Sequence, residues 1–354
     1  MRGELKWIEI DLGAVASNLR WTLSRLPRGA SLMAVVKADA YGHGAERIAA
    51  EAVRQGASSL GVLTVDEARR LRAAGVRAPV HLLAPILPDQ AAEAVRLRLT
   101  PTVDSPALAR ALNAAAPRSG LSIEVDVDSG LGRWGLAPRD LPEFLASLRR
   151  LPRLKPTGLS THIDYLPGKN AVEAETKLQA FGKLAAAARR VYPSLVRHAA
   201  NSSILLDFPD WCLDRVRVGN LLYRVNPAGS RPAPLKNPWK FLARIISLHQ
   251  VSKGRPIGYA SEYIAPRRMT VATLPVGYSD GLTMEPAERL IGFGGGFQYW
   301  GILRGKKVPF VGRCGISHVM VDVTGVPGAR VGEAVALPIR RTAAGRNLPR
   351  HYGR

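Results

Sequence analysis

The sequence predicts an α/β protein, a parallel (β/α)₈ barrel followed by a mostly-β domain. Over residues 30–220, short β-branched or apolar runs alternate with amphipathic stretches rich in Ala, Arg and Glu, about 25 to 30 residues per repeat. After about residue 228 the helical pattern stops, and strand-like runs separated by turn residues follow. The two patterns indicate two domains.

Eight apolar runs in the first part read as strands, and the amphipathic stretches between them read as helices. A closed barrel is favoured over an open doubly wound sheet, because Gly42-His43-Gly44 is not a GxGxxG nucleotide fingerprint. The predicted strands are Ser31–Val36, Ser59–Leu63, Val80–Leu83, Leu99–Val103, Leu121–Val127, Pro156–Thr161, Val196–Ala200 and Leu213–Val218. The predicted helices include Ala45–Gln55, Val65–Ala74, Asp89–Leu97, Asp140–Leu148 and Val172–Val191.

The segment Ala228–Pro238 is rich in Pro and Gly and reads as a linker. We therefore expect a barrel over residues 9–228 and a β-rich domain over residues 229–354, with residues 1–8 packing against the latter. The predicted strands of this domain are Ala243–Val251, Met269–Pro275, Gln298–Leu303, Lys307–Phe310, Val319–Val323 and Ala334–Pro338.

Composition narrows the possible partners. The chain carries 50 Lys and Arg against 28 Asp and Glu, a net charge of +22. The basic residues are scattered over helical faces without interleaved aromatics or zinc-finger spacing, so no nucleic-acid partner is predicted. No apolar run reaches membrane-spanning length, so no membrane partner is predicted either.

The two cysteines lack CxxC spacing, which predicts that the chain has no metal site and lies in a reducing compartment. The lack of a signal-peptide pattern predicts the cytoplasm.

The segment Val35–Gly44, VVKADAYGHG, is the most informative one. It places Lys37 at the carboxyl end of the first barrel strand, the end from which catalytic groups of barrels come. A lysine desolvated there can react as a neutral amine. Arg133, His162, Ser202 and Arg217 also fall at or just beyond predicted strand ends, so all five are expected to converge on one rim.

This segment resembles the lysine motif of the alanine racemase family, fold-type III enzymes that use pyridoxal 5′-phosphate (PLP). The resemblance implies that Lys37 forms the Schiff base with PLP and is one of two catalytic bases. Further matches in the family's order are Asp128–Gly135, Thr161-His162, His198–Ser202 and Val216–Gly219.

The remaining cofactor contacts also come from the resemblance. It implies that Tyr41 reaches the PLP phosphate, that Arg133 lies near the phenolic oxygen, and that His162 lies against the pyridine ring. Arg217 would face the pyridine nitrogen, and a guanidinium there keeps that nitrogen unprotonated. The phosphate would be bound by Asn201, Ser202 and Gly219; Asn220, which stands where the family has an apolar residue, would add a side-chain donor.

The segment Ile257–Tyr263 resembles the family segment that carries the second base. The resemblance implies that Tyr259 of the partner subunit is this base and that the protein is a homodimer. Substrate contacts would come from Arg133, from Tyr278 at the substrate entrance, and from the backbone at Ile316.

Several positions depart from the family pattern, among them Asp126, the pair Ile316-Ser317, Asn220 and the C-terminal segment that begins at Arg346. Many relatives carry a carbamylated lysine two residues before the aspartate matched by Asp128, whereas this chain has Asp126. Our hypothesis is that the carboxylate of Asp126 pairs with Arg133 directly.

The resemblance implies a PLP-dependent racemase of a small amino-acid substrate, interconverting L-alanine and D-alanine and supplying D-alanine for the cell wall. Other readings remain: racemisation of serine or a basic amino acid, a fold-type III decarboxylase, and a PLP-binding carrier or regulatory protein without turnover.

Overall fold

The computed structural model describes residues 3–225, 233–282, 299–339 and 341–353. The chain forms two compact units, Leu12–Asn237 and Met1–Asp11 with Pro238–Arg354. The boundaries between the two units therefore lie after residues 11 and 237, whereas the sequence predicted boundaries after residues 8 and 228. Ile10 and Asp11 still pair with strands of the β-rich unit, and Lys236 exchanges hydrogen bonds with Asn18 in the barrel unit.

The chain begins with strand β1 (Lys6–Asp11), which belongs to the β-rich unit. Within the described residues, the barrel unit contains an eight-stranded parallel sheet in the order β8-β7-β6-β5-β4-β3-β2-β9, which confirms the predicted fold class. Its strands are β2 (Ser31–Val35), β3 (Ser59–Val62), β4 (Val80–Pro85), β5 (Leu99–Val103), β6 (Leu121–Val127), β7 (Leu154–Thr161), β8 (Val196–His198) and β9 (Arg215–Val218).

Backbone hydrogen bonds join the two ends of this sheet. The amide of Asp214 donates to the carbonyl of Arg197 at 3.1 Å, and the amide of Arg217 donates to the carbonyl of Ala200 at 3.0 Å. These bonds link the segments around β8 and β9, so the sheet closes on itself. All strand carboxyl ends therefore lie on one rim.

Helices follow the strands because apolar side chains recur on one face of each. In the helix Val65–Ala73, the apolar residues Val65, Ala68 and Leu71 are buried, and the preceding Thr64 caps the amino end. The helices are α1 (Leu12–Leu23), α2 (Lys37–Tyr41), α3 (Ala45–Arg54), α4 (Val65–Ala73), α5 (Ala91–Arg96), α6 (Pro106–Ala115), α7 (Leu141–Leu148), α8 (Ala171–Val191) and α9 (Ser202–Asp207). No helix in the described ranges is long and apolar enough to cross a bilayer.

The second unit is built on a nine-stranded sheet in its described part, in the order β11-β14-β17-β16-β15-β18-β10-β1-β19. All neighbours in this sheet are antiparallel except β1 and β19. Its strands and the separate hairpin β12–β13 are β10 (Trp239–Arg244), β11 (Ser247–Val251), β12 (Pro256–Ile257), β13 (Tyr263–Ile264), β14 (Met269–Leu274), β15 (Trp300–Leu303), β16 (Lys306–Val311), β17 (Val319–Asp322), β18 (Ala334–Leu337) and β19 (Arg350–Gly353).

One strand prediction in this unit was wrong. The apolar run Ala243–Val251 is not a single strand but the end of β10 and the whole of β11. Ile245 donates to the carbonyl of Glu333, whereas Ile246 donates to that of Thr273, so the chain changes its pairing partner between them. Residues 228–232 of the expected linker and Gln298 of another predicted strand lie outside the described residues.

Candidate active site

A cavity of about 250 Å³ opens at the carboxyl ends of the barrel strands. All nine residues that the sequence predicts for the cofactor line it. They are Lys37, Tyr41, Arg133, His162, Asn201, Ser202, Arg217, Gly219 and Asn220. The barrel topology therefore brings together residues that are separated by up to 183 positions in the chain, Lys37 to Asn220.

The amine of Lys37 has no hydrogen bond or ion pair with any residue in the described ranges, and its side chain lines the cavity. Burial lowers the pKa of Lys37, and the positive charges of Arg133 and Arg217 lower it further, while Glu67 opposes them. A lowered pKa increases the fraction of neutral amine near pH 7, the form that attacks a carbonyl carbon.

The short element α2 is a left-handed turn after Lys37 and not an amphipathic right-handed helix. The four residues Ala38–Tyr41 have φ angles from 50° to 57°, a conformation that costs roughly 1–2 kcal/mol per non-glycine residue. Two carboxylates hold the turn: Glu67 accepts from the amide of Ala38 at 2.6 Å, and Asp39 accepts from the amide of Ala45 at 3.0 Å. Sequence reasoning missed Glu67, although its spacing from Thr64 is that of a capping box.

Arg217 is anchored beneath the cavity by hydrogen bonds from its two terminal nitrogens. Nη1 lies 2.7 Å from His198 Nδ1 and donates to the carbonyl of His198 at 2.9 Å. Nη2 donates to the carbonyls of Thr161 at 2.6 Å and Ala199 at 3.3 Å. All of these bonds use the terminal nitrogens. The remaining donor, Nε–H of Arg217, has no acceptor among the described residues and is available to a ligand.

His162 is held neutral. Burial lowers the pKa of His162 to about 3, and the positive charges of Arg217, Arg133 and Lys37 contribute to the shift. Its imidazole makes no hydrogen bond with the described residues. A neutral ring that lines the cavity is suited to contact an aromatic ligand.

Asp126 does not pair with Arg133 by a direct contact, contrary to our hypothesis. Its carboxylate accepts a hydrogen bond of 2.5 Å from Ser160, while the Arg133 guanidinium stacks 3.6 Å from the ring centroid of Trp134. Burial raises the pKa of Asp126 to about 7, against the opposing effects of Ser160, Arg217 and Arg133. The group therefore titrates near neutrality, and it acts on the two arginines through space.

Tyr41 and Gly219 meet at the far side of the cavity. A Cβ atom on Gly219 would lie 2.6 Å from the hydroxyl of Tyr41, so only glycine leaves room there. Burial raises the pKa of Tyr41, so its hydroxyl keeps its proton as a donor. Ser202 is buried nearby, and Asn201 uses its side-chain oxygen to accept from the amides of Ser203 and Ile204.

Sequence reasoning also missed Glu124, a fully buried carboxylate that lines the cavity floor. It lies on β6 two residues before Asp126, and both carboxylates line the cavity because alternate strand residues share a face. The sequence feature that could have revealed Glu124 is the presence of charged residues inside the apolar run Ile123–Val127. Among the described residues, no cluster of metal-ligating side chains is present.

Three further predicted residues belong to the β-rich unit. The side chains of Tyr259, Tyr278 and Ile316 are 61%, 46% and 60% exposed. Tyr278 and Ile316 lie on neighbouring loops, since the amide of Tyr278 donates to Gly315 and that of Ser279 to Ile316. The Tyr259 ring centroid lies 6.4 Å from that of His318.

The same architecture occurs in solved enzymes. Alanine racemase from Clostridium difficile 630 matches with a TM-score of 0.88 and 25% identity, over 100% of this chain and 97% of that one. Alanine racemase from Bartonella henselae, solved with covalently bound pyridoxal phosphate, has a TM-score of 0.85 at 23% identity, over 99% and 100%. The fold and the rim site thus define an amino-acid racemase of the barrel type.

Sequence comparison gives the family. The family model described as alanine racemase, N-terminal domain, matches residues 10–227, and that for the C-terminal domain matches residues 239–345. The alanine racemase of Desulfovibrio desulfuricans is 36% identical over 339 residues, which cover 94% of this chain and 88% of that protein. The chain belongs to the alanine racemase family.

Proposed function

We propose that this chain interconverts L-alanine and D-alanine, with PLP bound at Lys37, and that it supplies D-alanine for the cell wall. The observation that carries the proposal is the Lys37 amine, which faces the barrel cavity without a partner among the described residues and has a lowered pKa. An unpaired amine in a cavity lined by cationic groups is suited to bond an anionic aldehyde.

The residues at the rim fit PLP. The hydroxyls of Tyr41 and Ser202 and the backbone near Gly219 and Asn220 are donors for a phosphate, and the missing Cβ of Gly219 lets the Tyr41 hydroxyl lie close to that backbone. When bound, PLP withdraws electrons and makes the α-proton of an amino acid acidic.

The chain's own groups would orient the reactants. Arg217 cannot give up its proton and would present Nε–H to a ring nitrogen, which then stays unprotonated. Neutral His162 would lie against the ring, and Arg133 would attract the substrate carboxylate. The neutral form of Lys37 Nζ would take a proton from one face of the α-carbon.

Racemisation needs a second base on the opposite face. We assign it to Tyr259 of the partner subunit in a homodimer, with Tyr278 and the backbone at Ile316 bordering the substrate. The exposure of the Tyr259 side chain supports this part, because an exposed hydroxyl is available to a second subunit.

The proposed location is the cytoplasm. Cys212 and Cys314 are both buried and free, and burial raises the pKa of each thiol to about 12. Protected thiols of this kind need no disulfide partner, which fits a reducing compartment. Fractionation of the source cells checks the location, and recovery outside the cytoplasm would contradict it.

The function is tested by adding PLP to the purified chain and assaying L-alanine, L-serine, L-lysine and L-arginine by chiral chromatography. Borohydride reduction followed by peptide mapping should place the pyridoxyl group on Lys37. D-Alanine should form faster than the D-enantiomer of any other amino acid in the panel, and Lys37→Ala should be inactive. Lys183→Ala, on the α8 helix outside the cavity lining, is the matched control and should retain both properties.

Loss of the carboxyl group as carbon dioxide would identify a decarboxylase instead. PLP bound without turnover of any amino acid would identify a carrier or regulatory protein. Faster inversion of serine, lysine or arginine would reassign the substrate.

A further inference from the structure

We propose that Glu124 is a positioning residue for Arg217 and that it acts through His198, by holding the imidazole in the tautomer that is protonated at Nε2. The inference rests on the proposed function in one respect, the role of Arg217 toward a bound ring nitrogen. Its structural part concerns only side chains of this chain.

Glu124 is the shared anion of a buried cluster in the barrel interior. It is 2% exposed, and its Oε1 lies 2.8 Å from Arg215 Nη1 and 3.1 Å from His81 Nδ1. Its Oε2 lies 3.2 Å from His198 Nε2. A Cβ atom on Gly158 would lie 2.6 Å from Oε1, so glycine on β7 makes room for the carboxylate.

The contact between the other ring nitrogen of His198, Nδ1, and Arg217 determines which tautomer is present. His198 Nδ1 lies 2.7 Å from Nη1 of Arg217. A guanidinium has donors and no acceptor, so Nδ1 of His198 must accept, and the single proton of the neutral ring must be on Nε2. Burial lowers the pKa of His198 to about 4, so the ring is neutral at pH 7.

The carboxylate of Glu124 is the group that stabilises this tautomer by charge: its Oε2 lies 3.2 Å from Nε2, close enough to attract the N–H dipole, although the pair does not have hydrogen-bond geometry. The opposite tautomer would place an N–H of His198 against an N–H of Arg217 and leave Oε2 facing a bare ring nitrogen. Both contacts are unfavourable in a buried site. Glu124 thus sets the direction of the hydrogen bond that holds Arg217.

Glu124→Gln is the decisive variant, because it keeps the shape and removes the charge. The positive charge of Arg215 attracts the amide oxygen to the Oε1 position, and the amide NH₂ then faces His198. An N–H donor at that position favours the tautomer with the proton on Nδ1, which opposes the Arg217 contact. We expect kcat to fall by at least about tenfold, as when a catalytic imidazole is held in the wrong tautomer.

The tautomer is read by ¹⁵N NMR of the full-length chain labelled at its seven histidines, with and without PLP. His198→Gln assigns the resonance. In the unmodified chain, Nε2 of His198 should have the shift of a protonated nitrogen and Nδ1 that of an unprotonated one. In Glu124→Gln the two shifts should exchange or average.

His81→Gln is the matched control, because His81 contacts the same carboxylate but does not reach Arg217. It should leave the His198 tautomer and kcat close to those of the unmodified chain. Equal losses in both variants with an unchanged tautomer would overturn the inference, as would a proton on Nδ1 in the unmodified chain. The tautomer is measured without turnover, so a failed racemase assay and a failed inference are distinguishable.

Discussion

Glu67 accepts a 2.6 Å hydrogen bond from the backbone amide of Ala38, the residue next to Lys37. The same carboxylate accepts from the amide of Leu63 at 2.8 Å and is the N3 partner of Thr64 in the capping box of α4. One side chain therefore links the first turn of α4 to the left-handed turn that presents the lysine.

We expect Glu67→Gln to slow PLP uptake at alkaline pH, where the Lys37 amine is neutral in both proteins and the effect of the Glu67 charge on the pKa of Lys37 no longer contributes. A glutamine has one acceptor oxygen, so either Ala38 or the α4 cap must face an NH₂ group, which costs about 1–3 kcal/mol of unfolding free energy. Stopped-flow absorbance after PLP addition measures the uptake rate.

Thr64→Ala is the control, since it removes the other half of the capping box and leaves the Ala38 contact intact. It should lower the unfolding free energy by about 1 kcal/mol without slowing PLP uptake. If the two variants slow PLP uptake equally, Glu67 acts only as a helix cap.

Arg133→Gln should move the pH dependence of PLP uptake to higher pH. The charge of Arg133 lowers the pKa of Lys37, so its removal makes the ammonium form more stable and the neutral amine appears at higher pH. The midpoint of the uptake rate against pH is the measurement. Arg139→Gln, on an exposed side chain, should leave the midpoint unchanged.

Asp126→Asn should change how stability depends on pH. Burial raises the pKa of Asp126 to about 7 from 3.8, so the folded chain binds a proton between these values that the unfolded chain releases. Asp126 therefore costs stability as the pH rises through this window. The asparagine variant should gain up to roughly 4 kcal/mol relative to the unmodified chain between pH 4 and pH 8, at about 1.4 kcal/mol per pKa unit.

Urea unfolding of both proteins without PLP measures this difference. The depressed pKa values of His162 and His198 affect stability in an overlapping range, but they contribute to both proteins and cancel. Asp140→Asn, at an exposed carboxylate, should give a flat difference. A flat difference for Asp126→Asn would show that this group ionises normally.

Gly158→Ala should destabilise the barrel through Glu124. The added Cβ would lie 2.6–2.8 Å from the carboxyl end of that side chain, an overlap that costs typically 1–3 kcal/mol. In a Glu124→Ala background the same change should cost much less, because the opposing atoms are gone. A double-mutant cycle of unfolding free energies tests this coupling, and additive effects would contradict it.

Most of the barrel could be predicted from the sequence, because buried parallel strands read as short apolar runs between amphipathic helices. Leu99–Val103 and Leu121–Val127 are strands with the predicted bounds. Local patterns do not show pairing partners, so the break between Ile245 and Ile246 inside a continuous apolar run was missed.

The cofactor side of the site was predicted from motifs, and the barrel places those residues around one cavity. Glu67 and Glu124 were not predicted, because neither lies in a matched motif and their roles depend on contacts 29 and 74 residues away, to Ala38 and His198. The interpretation of Asp126 failed for a related reason. Position along the strand is visible in the sequence, but the choice between Ser160 and Arg133 as partner depends on side-chain geometry.

Racemisation of L-alanine in deuterium oxide by the PLP-loaded chain tests the central claim most directly. Circular dichroism follows inversion, and NMR follows exchange at the α-carbon. We expect D-alanine carrying deuterium at the α-carbon, full activity in Lys183→Ala and none in Lys37→Ala. Absence of inversion and exchange in the unmodified chain, or activity that persists in Lys37→Ala, would contradict the account.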